Sequence, residues 1–241
     1  MNTAEAPVTG TGEPWNAEEF TARLRAVPAG HYHDRHPFNV RMHEGALTPA
    51  ELRRWIINRF HYQRHIPVKD ALILAKLGEP ALRRAWLRRI QDHDGVVEGE
   101  GGIERWLRLG EAAGIERSQL RSGAGVLPGV RLAVDGYVNF CRLRSPLEAV
   151  AASLTELAAP GIMRTRIDAF ERHYRWIDAE GPAYFRDRIG QGGRDGAEAL
   201  GLVVAWAGTR REQEAAVAAL SFKCDVLWSL LDAVDRAGED R

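Results

Sequence analysis

Apolar positions along the chain return every three or four residues, the period of a helix with one buried face. Nothing alternates with period two for long enough to make a sheet. Capping boxes mark the helix starts. Asn16 to Glu19, Thr48 to Glu51, Ser145 to Glu148 and Thr209 to Glu212 each set a capping side chain three residues before a glutamate, so that the two satisfy each other's orphan backbone N–H groups. Pro49 and Pro146 stand at first helical positions, where a missing N–H costs nothing. Gly78 and Gly208 stand where helices should stop. These marks predict helices at roughly 17–27, 49–66, 68–77, 80–93, 102–113, 129–143, 146–159, 161–172, 182–189, 195–207 and 210–236. Stretches such as "GPAY" and "QGGRDG" read as the turns between them. No repeat and no shift of composition divides the chain. The prediction is all-α: a flexible arm over 1–14 and one compact, single-domain helical bundle over 15–241. The acidic, glycine-rich "DHDGVVEGEGG" at 92–102 is either a mobile loop over a site or a solvated connection.

Several of the apolar rows are interrupted by charge. Leu52, Ile56, Arg59, Gln63, Ile66, Asp70, Ile73 is one; Leu82, Trp86, Arg89, His93 is another. Lys223 sits in the row Leu220, Leu227, Leu230, Val234. Glu156, Met163, Arg166 and Phe170 fall near one face, Tyr184 and Arg188 are one turn apart, and "HYHDRHPF" carries Tyr32 and His33. Each case alone has a plain explanation. A Lys or Arg on such a row ordinarily snorkels, packing its methylenes and keeping its charge in water, and a lone Tyr or His is ordinarily a core residue with one hydrogen bond. Recurrence across five helices shifts the balance, because an unpaired buried ion costs several kcal/mol. Glu156 and Asp70 are the two internal partners in reach of Arg59, Arg89, Arg166, Arg188 and Lys223. The surplus predicts a cavity between helices for an anionic ligand with several carboxylates, each met by a guanidinium fork.

Composition removes other classes. With 33 basic and 33 acidic residues in 241, nucleic acid finds no global field to follow and is not expected as a partner. No segment approaches the run of about 20 apolar residues that spans a bilayer, and the acidic, polar start does not look like a signal peptide. The expectation is a cytoplasmic protein with no membrane partner. Cys141 and Cys224 read as two buried reduced thiols rather than a disulfide or redox pair. His31, His33 and His36 are too weak a pattern for zinc, and no Glu-x-x-His pairs, phosphate loop, GxGxxG or GxSxG occur. No metal site is expected.

At this point the residues resemble a family. "NRFHYQRHIPVKDA", "RRIQDHDG", "GGIERWLRLGEAAG", "VLPGVRLAVDGYVNF", "SLTELAAPGI" and "SFKCDVLWSLLDA" are similar to the pyrroloquinoline-quinone synthase family, from about Trp15 to Val234. The resemblance implies a haem-oxygenase-like fold, a homodimer, and no cofactor beyond the substrate and O2. It implies ring closure by an amine on a quinone-type precursor, then an eight-electron oxidation by O2 that gives pyrroloquinoline quinone and hydrogen peroxide. Carried over by position, the substrate-binding set is Tyr32, Arg59, Tyr62, Gln63, Lys69, Arg89, Tyr137, Arg166 and Lys223. The catalytic set is His33, His93, Glu156, Met163, Tyr184 and Arg188, with His93 as general base and Arg188 with Tyr184 facing oxygen or peroxide. A precursor rich in carboxylates is what the charge surplus asked for on its own.

Met163 departs from the family, which usually has histidine there. A thioether donates no hydrogen bond and relays no proton. Two readings follow: a change, natural or introduced, that spares binding and ring closure while slowing the oxygen steps, or a site drifted toward another substrate. Two alternatives to the oxidase stand beside them. One is a carrier that holds pyroloquinoline quinone or a similar polycarboxylate without turnover; the other is a haem- or iron-dependent oxygenase on the same scaffold.

Overall fold

The computed structural model describes residues 12–238, and among these the regular structure is entirely helical. In chain order the helices are α1 (Ala17–His31), α2 (Pro37–His43), α3 (Pro49–Gln63), α4 (Ile66–Leu74), α5 (Pro80–Asp94), α6 (Gly101–Ala112), α7 (Arg117–Ser122), α8 (Pro128–Leu143), α9 (Pro146–Ala151), α10 (Ala159–His173), α11 (Ala183–Trp206) and α12 (Arg210–Arg236). Two 3-10 turns, His33–Arg35 and Leu154–Leu157, complete the set. The expected arm lies, through residue 11, outside the described residues. Glu13 and Trp15 are tied down: Arg210 donates to the Glu13 carbonyl at 2.8 Å, and Gln213 exchanges hydrogen bonds with the Trp15 backbone at 2.7 and 2.9 Å.

One long helix organises the bundle. The row Leu220, Lys223, Leu227, Leu230, Val234 of α12 is buried along its whole length, with α1, α8 and α9 packed around it. The second half of the core is aromatic. Trp55, Trp106 and Phe185 are fully buried, their rings 5.5 to 6.4 Å apart, a spacing of favourable edge and offset contacts.

Prolines and glycines explain where the structure departs from the sequence reading. The helix expected over 49–66 stops at Gln63, because Pro67 cannot donate within a continuing helix and the chain restarts at Ile66. The helix expected over 146–159 divides into α9 and the 3-10 turn Leu154–Leu157. Continued to Pro160, it would drive the proline ring against the Glu156 carbonyl four residues back. The opposite happens in "QGGRDG". Expected as a turn, it lies inside α11. Its glycines serve close approach: a Cβ on Gly196 would sit 3.0 Å from the Leu157 backbone nitrogen, and one on Gly192 would sit 3.3 Å from the Ala159 Cβ. Helices α2 and α7 were not expected.

This gives a sharp contrast within one helix. A methyl on exposed Gly193 would meet nothing within 4 Å, so Gly193→Ala should stabilise the protein by about 0.5–1 kcal/mol through helix propensity. Gly196→Ala should destabilise it in spite of the same propensity gain. Urea unfolding of the two variants checks both signs; equal stabilisation would mean that the turn Leu154–Leu157 does not press on α11.

Candidate active site

The interrupted rows converge. A cavity lies where α3, α11 and α12 meet the ends of α1 and α5 and the turn Leu154–Leu157. It is lined by Tyr32, Arg59, Tyr62, Gln63, His93, Glu156, Met163, Tyr184 and Arg188, with Ile66, Thr155, Ala159 and Leu227. Its volume is about 30 Å³, room for one or two waters. The remaining expected residues, His33, Lys69, Arg89, Tyr137, Arg166 and Lys223, do not line it but stand immediately behind its walls. All six expected cations are buried: Arg59, the most accessible, is 5% exposed, and Arg166 and Lys223 are 1% exposed. Snorkelling is therefore not their explanation.

The six fall into two groups by partner. Arg188 gives Nη2 to Glu156 Oε2 at 2.5 Å and holds Nη1 3.5 Å from Asp195. Lys69 pairs with Asp70 at 2.7 Å and donates to Ser153 at 3.0 Å. Asp70 thus answers a lysine, while its Oδ1 also accepts the Trp86 indole N–H at 3.0 Å. The other four have no carboxylate partner among the described residues. Arg59 lies over the Tyr62 ring at 4.3 Å and its Nε is unsatisfied. Arg89 stacks on Trp86 at 4.0 Å and donates to the Asp195 carbonyl. Arg166 reaches Asn39 Oδ1 at 3.4 Å. Lys223 donates to the Tyr62 hydroxyl at 2.6 Å and sits 3.4 Å over the Tyr137 ring.

Protonation follows from this crowding. Burial, then the nearby Arg59, draws Arg166 down to about 9. Burial also pulls the Lys223 amine well below its ordinary value, with Lys69 and Arg59 adding to the effect. Burial alone would raise Glu156, but Arg188, Arg89, Lys69 and His93 outweigh it and hold the carboxyl near 2. His93 is lowered to about 4, first by burial and then by Arg188. Its Nδ1 lies 3.0 Å from the Arg89 carbonyl, which fixes the proton on Nδ1 and leaves Nε2 with a free lone pair. Burial raises the phenols of Tyr32, Tyr62, Tyr137 and Tyr184, so they remain neutral donors. Tyr184 donates to Gln63 Oε1 at 2.9 Å.

The sequence reading missed Asn39 and Asp195. Asn39 lies on the unforeseen α2, and its amide faces both Nδ1 and the carbonyl of His33 at 3.0 and 2.6 Å. Asp195 lay hidden in the segment read as a turn; as helix, seven residues put it on the same face as Arg188. A larger surface groove, about 880 Å³ between the α4–α5, α8–α9 and α11–α12 corners, has no buried ionisable group on its walls, whereas the small cavity gathers several. Among the described residues no three His, Cys, Asp or Glu side chains gather as a metal cage, and no helix is long and apolar enough to cross a membrane.

The sequence pattern of the TENA/THI-4/PQQC family matches residues 21–233. The pyrroloquinoline-quinone synthase of Cronobacter sakazakii is 50% identical over 220 residues, covering 91% of this chain and 87% of that protein. That of Pseudomonas putida strain W619 is 49% identical over 226 residues, covering 94% and 90%. A TenA homologue from Pseudomonas syringae superposes with TM-score 0.73 at 16% identity, covering 98% of this chain and 99% of the other. A Shewanella denitrificans domain with a haem-oxygenase-like fold gives 0.70 at 14% identity, covering 92% and 91%. The fold is haem-oxygenase-like.

Acid should unfold the protein in two windows. Folded His93 resists the proton that the unfolded chain accepts at about 6.5, so stability falls as pH drops from about 6.5 toward 4, by up to about 3 kcal/mol for this residue. Glu156 contributes stability that is present above its unfolded value of 4.5 and lost as pH falls toward 2. Urea melts across pH 3–7 should show His93→Gln shallower in the upper window and Glu156→Gln less sensitive in the lower one. An unaltered slope for His93→Gln would mean that its imidazole takes up its proton equally in the folded and unfolded chain.

Proposed function

The chain belongs to the TENA/THI-4/PQQC family, and within it we propose that this protein completes pyrroloquinoline quinone, closing a ring on a polycarboxylate precursor and passing eight electrons from it to O2. A role in pyrroloquinoline-quinone biosynthesis follows from relatives of that name, about half identical over nine-tenths of the chain. The observation that carries the finer reading is the set of four buried cations without carboxylates, Arg59, Arg89, Arg166 and Lys223, around a cavity faced by His93, Tyr184 and Arg188. A guest with several carboxylates supplies the missing negative charge.

The roles follow from position. Carboxylates and quinone oxygens of the precursor go to Arg59, Tyr62 and the cations behind them. His93 Nε2 takes the proton from the attacking amine and later protons from ring carbons. Negative charge brought by the guest raises its basicity. As electrons collect in the closed ring, the fixed cations stabilise the developing quinol anion in a water-poor site. The ring is its own electron reservoir, so the reaction as proposed draws on no metal or organic cofactor. O2 takes the electrons beside Tyr184 and Arg188 and leaves as hydrogen peroxide. Met163 borders the same space and offers no proton, which slows that part of the sequence.

The walls must part to admit a fused-ring guest, since 30 Å³ does not hold one. The connection between α5 and α6 is placed to do so. Gly95 and Gly99 in it, and Gly101 at the start of α6, take positive φ, and it leads from the end of α5 beside His93 to Gly102, whose backbone packs against the Tyr184 ring.

Anaerobic mixing with precursor should give a bound, ring-closed species, and admission of O2 should then release the quinone and peroxide. Binding with no turnover under either condition would make the protein a carrier. Met163→His should raise the rate of O2 consumption with precursor affinity unchanged; full-speed oxidation by the unaltered protein would deny Met163 that role. Arg59→Leu should weaken pyrroloquinoline-quinone binding by about tenfold or more, the scale of a buried charge-assisted contact, measured by absorbance titration.

A further inference from the structure

Seven residues along α11 from Arg188 stands a carboxylate that the cavity does not touch. Asp195 has a side chain 3% exposed. Its Oδ2 lies 3.5 Å from Arg188 Nη1, which also has Gln191 Oε1 at 3.4 Å. Its Oδ1 accepts Arg194 Nε at 3.1 Å and Nη2 at 2.8 Å. Arg194 pairs in turn with Asp92, the residue before His93. The backbone carbonyl of Asp195 receives Arg89. Arg188 is thus held between two carboxylates, Glu156 and Asp195, whereas Arg59, Arg166 and Lys223 have none.

We propose that Asp195 is a positioning residue that pins the second arm of the Arg188 guanidinium from behind the cavity wall and so withholds Arg188 from the carboxylates of the guest. The inference rests on the proposed function and concerns how its one site divides its cations. A guanidinium fork already committed to two carboxylates is a poor clamp for a third. The four cations without a carboxylate, Arg59, Arg89, Arg166 and Lys223, then take the guest's carboxylates. Arg188 stays beside Tyr184 and His93, where the small oxygen-derived species must fit. Were Arg188 free, a guest carboxylate would capture it, seat the ring too deep in that corner and exclude O2. Burial raises Asp195's own proton affinity, with Glu156 adding to the effect and Arg89 and Arg188 opposing it.

The test is Asp195→Asn, which keeps shape and removes charge. Pyrroloquinoline quinone should bind it about three- to tenfold more tightly, the scale of one partly screened charge pair, while kcat with precursor falls and KM falls alongside. Asp195→Glu should restore both. A residue that merely supported the fold would give weaker binding with lower thermal stability, and weaker or unchanged binding in a folded Asp195→Asn protein overturns the proposal. If that variant does not fold, Arg194→Gln carries the test with the opposite sign. It leaves Asp195 to Arg188 alone, so quinone binding should weaken, and unchanged or tighter binding overturns the proposal. Failure of the unaltered protein both to bind the quinone and to consume O2 with precursor would sink the functional reading, and this inference with it. A normal unaltered protein beside a misbehaving Asp195 series would sink the inference alone.

Discussion

Everything in this bundle is arranged around the difficulty of keeping surplus positive charge out of water. Six cationic side chains share one interior with three carboxylates, Asp70, Asp195 and Glu156. Isolated, each such ion would cost several kcal/mol, a large share of a domain's net stability. The fold reduces the cost in three ways. It pairs two cations outright, lays others on aromatic faces, as with Arg89 on Trp86 and Lys223 on Tyr137, and lowers the proton affinity of Lys223 and Arg166. What remains uncompensated, including the bare Nε of Arg59, Arg89 and Arg166, is an unmet demand for hydrogen-bond acceptors. On the proposed reading a polycarboxylate answers that demand, beginning with Arg59 on the cavity wall.

Much of this was legible in the chain because charge on an apolar row is a strong signal. Arg59 between Ile56 and Ile66, and Lys223 between Leu220 and Leu227, could be placed inward from periodicity alone. The capping boxes at Thr48, Ser145 and Thr209 are all formed, since a local pairing across three residues needs no tertiary help. Glycine and proline were harder. The same "GG" that reads as a turn by propensity is a close-packing device once another segment lies against it, and nothing local distinguishes the two. Pro160 acts four residues upstream of itself, on Glu156, and its effect is invisible to a reading that stops at the proline.

The errors were not neutral with respect to the site. Reading "QGGRDG" as a turn removed Asp195 from the face of Arg188 and so hid the counter-ion that distinguishes this arginine from its neighbours. Overlooking α2 removed Asn39, whose Oδ1 accepts from Arg166. The buried ionisable side chains were visible; the groups that hold them in place were not. Orienting groups are set by tertiary approach, and tertiary approach is what sequence periodicity does not encode.

The meeting of Gly192 and Gly196 with the turn Leu154–Leu157 has a mechanical consequence. Glu156 is borne on main chain pressed against main chain, with Gly196 a few tenths of an ångström from refusing even a methyl group. The Glu156 main chain is thereby held stiffly, and the Arg188 clasp limits the rotation left to its side chain. In the proposed spreading of the walls around a guest, that main chain is the fixed datum from which displacement is measured, and Arg188 is tied to it through the Glu156 carboxylate.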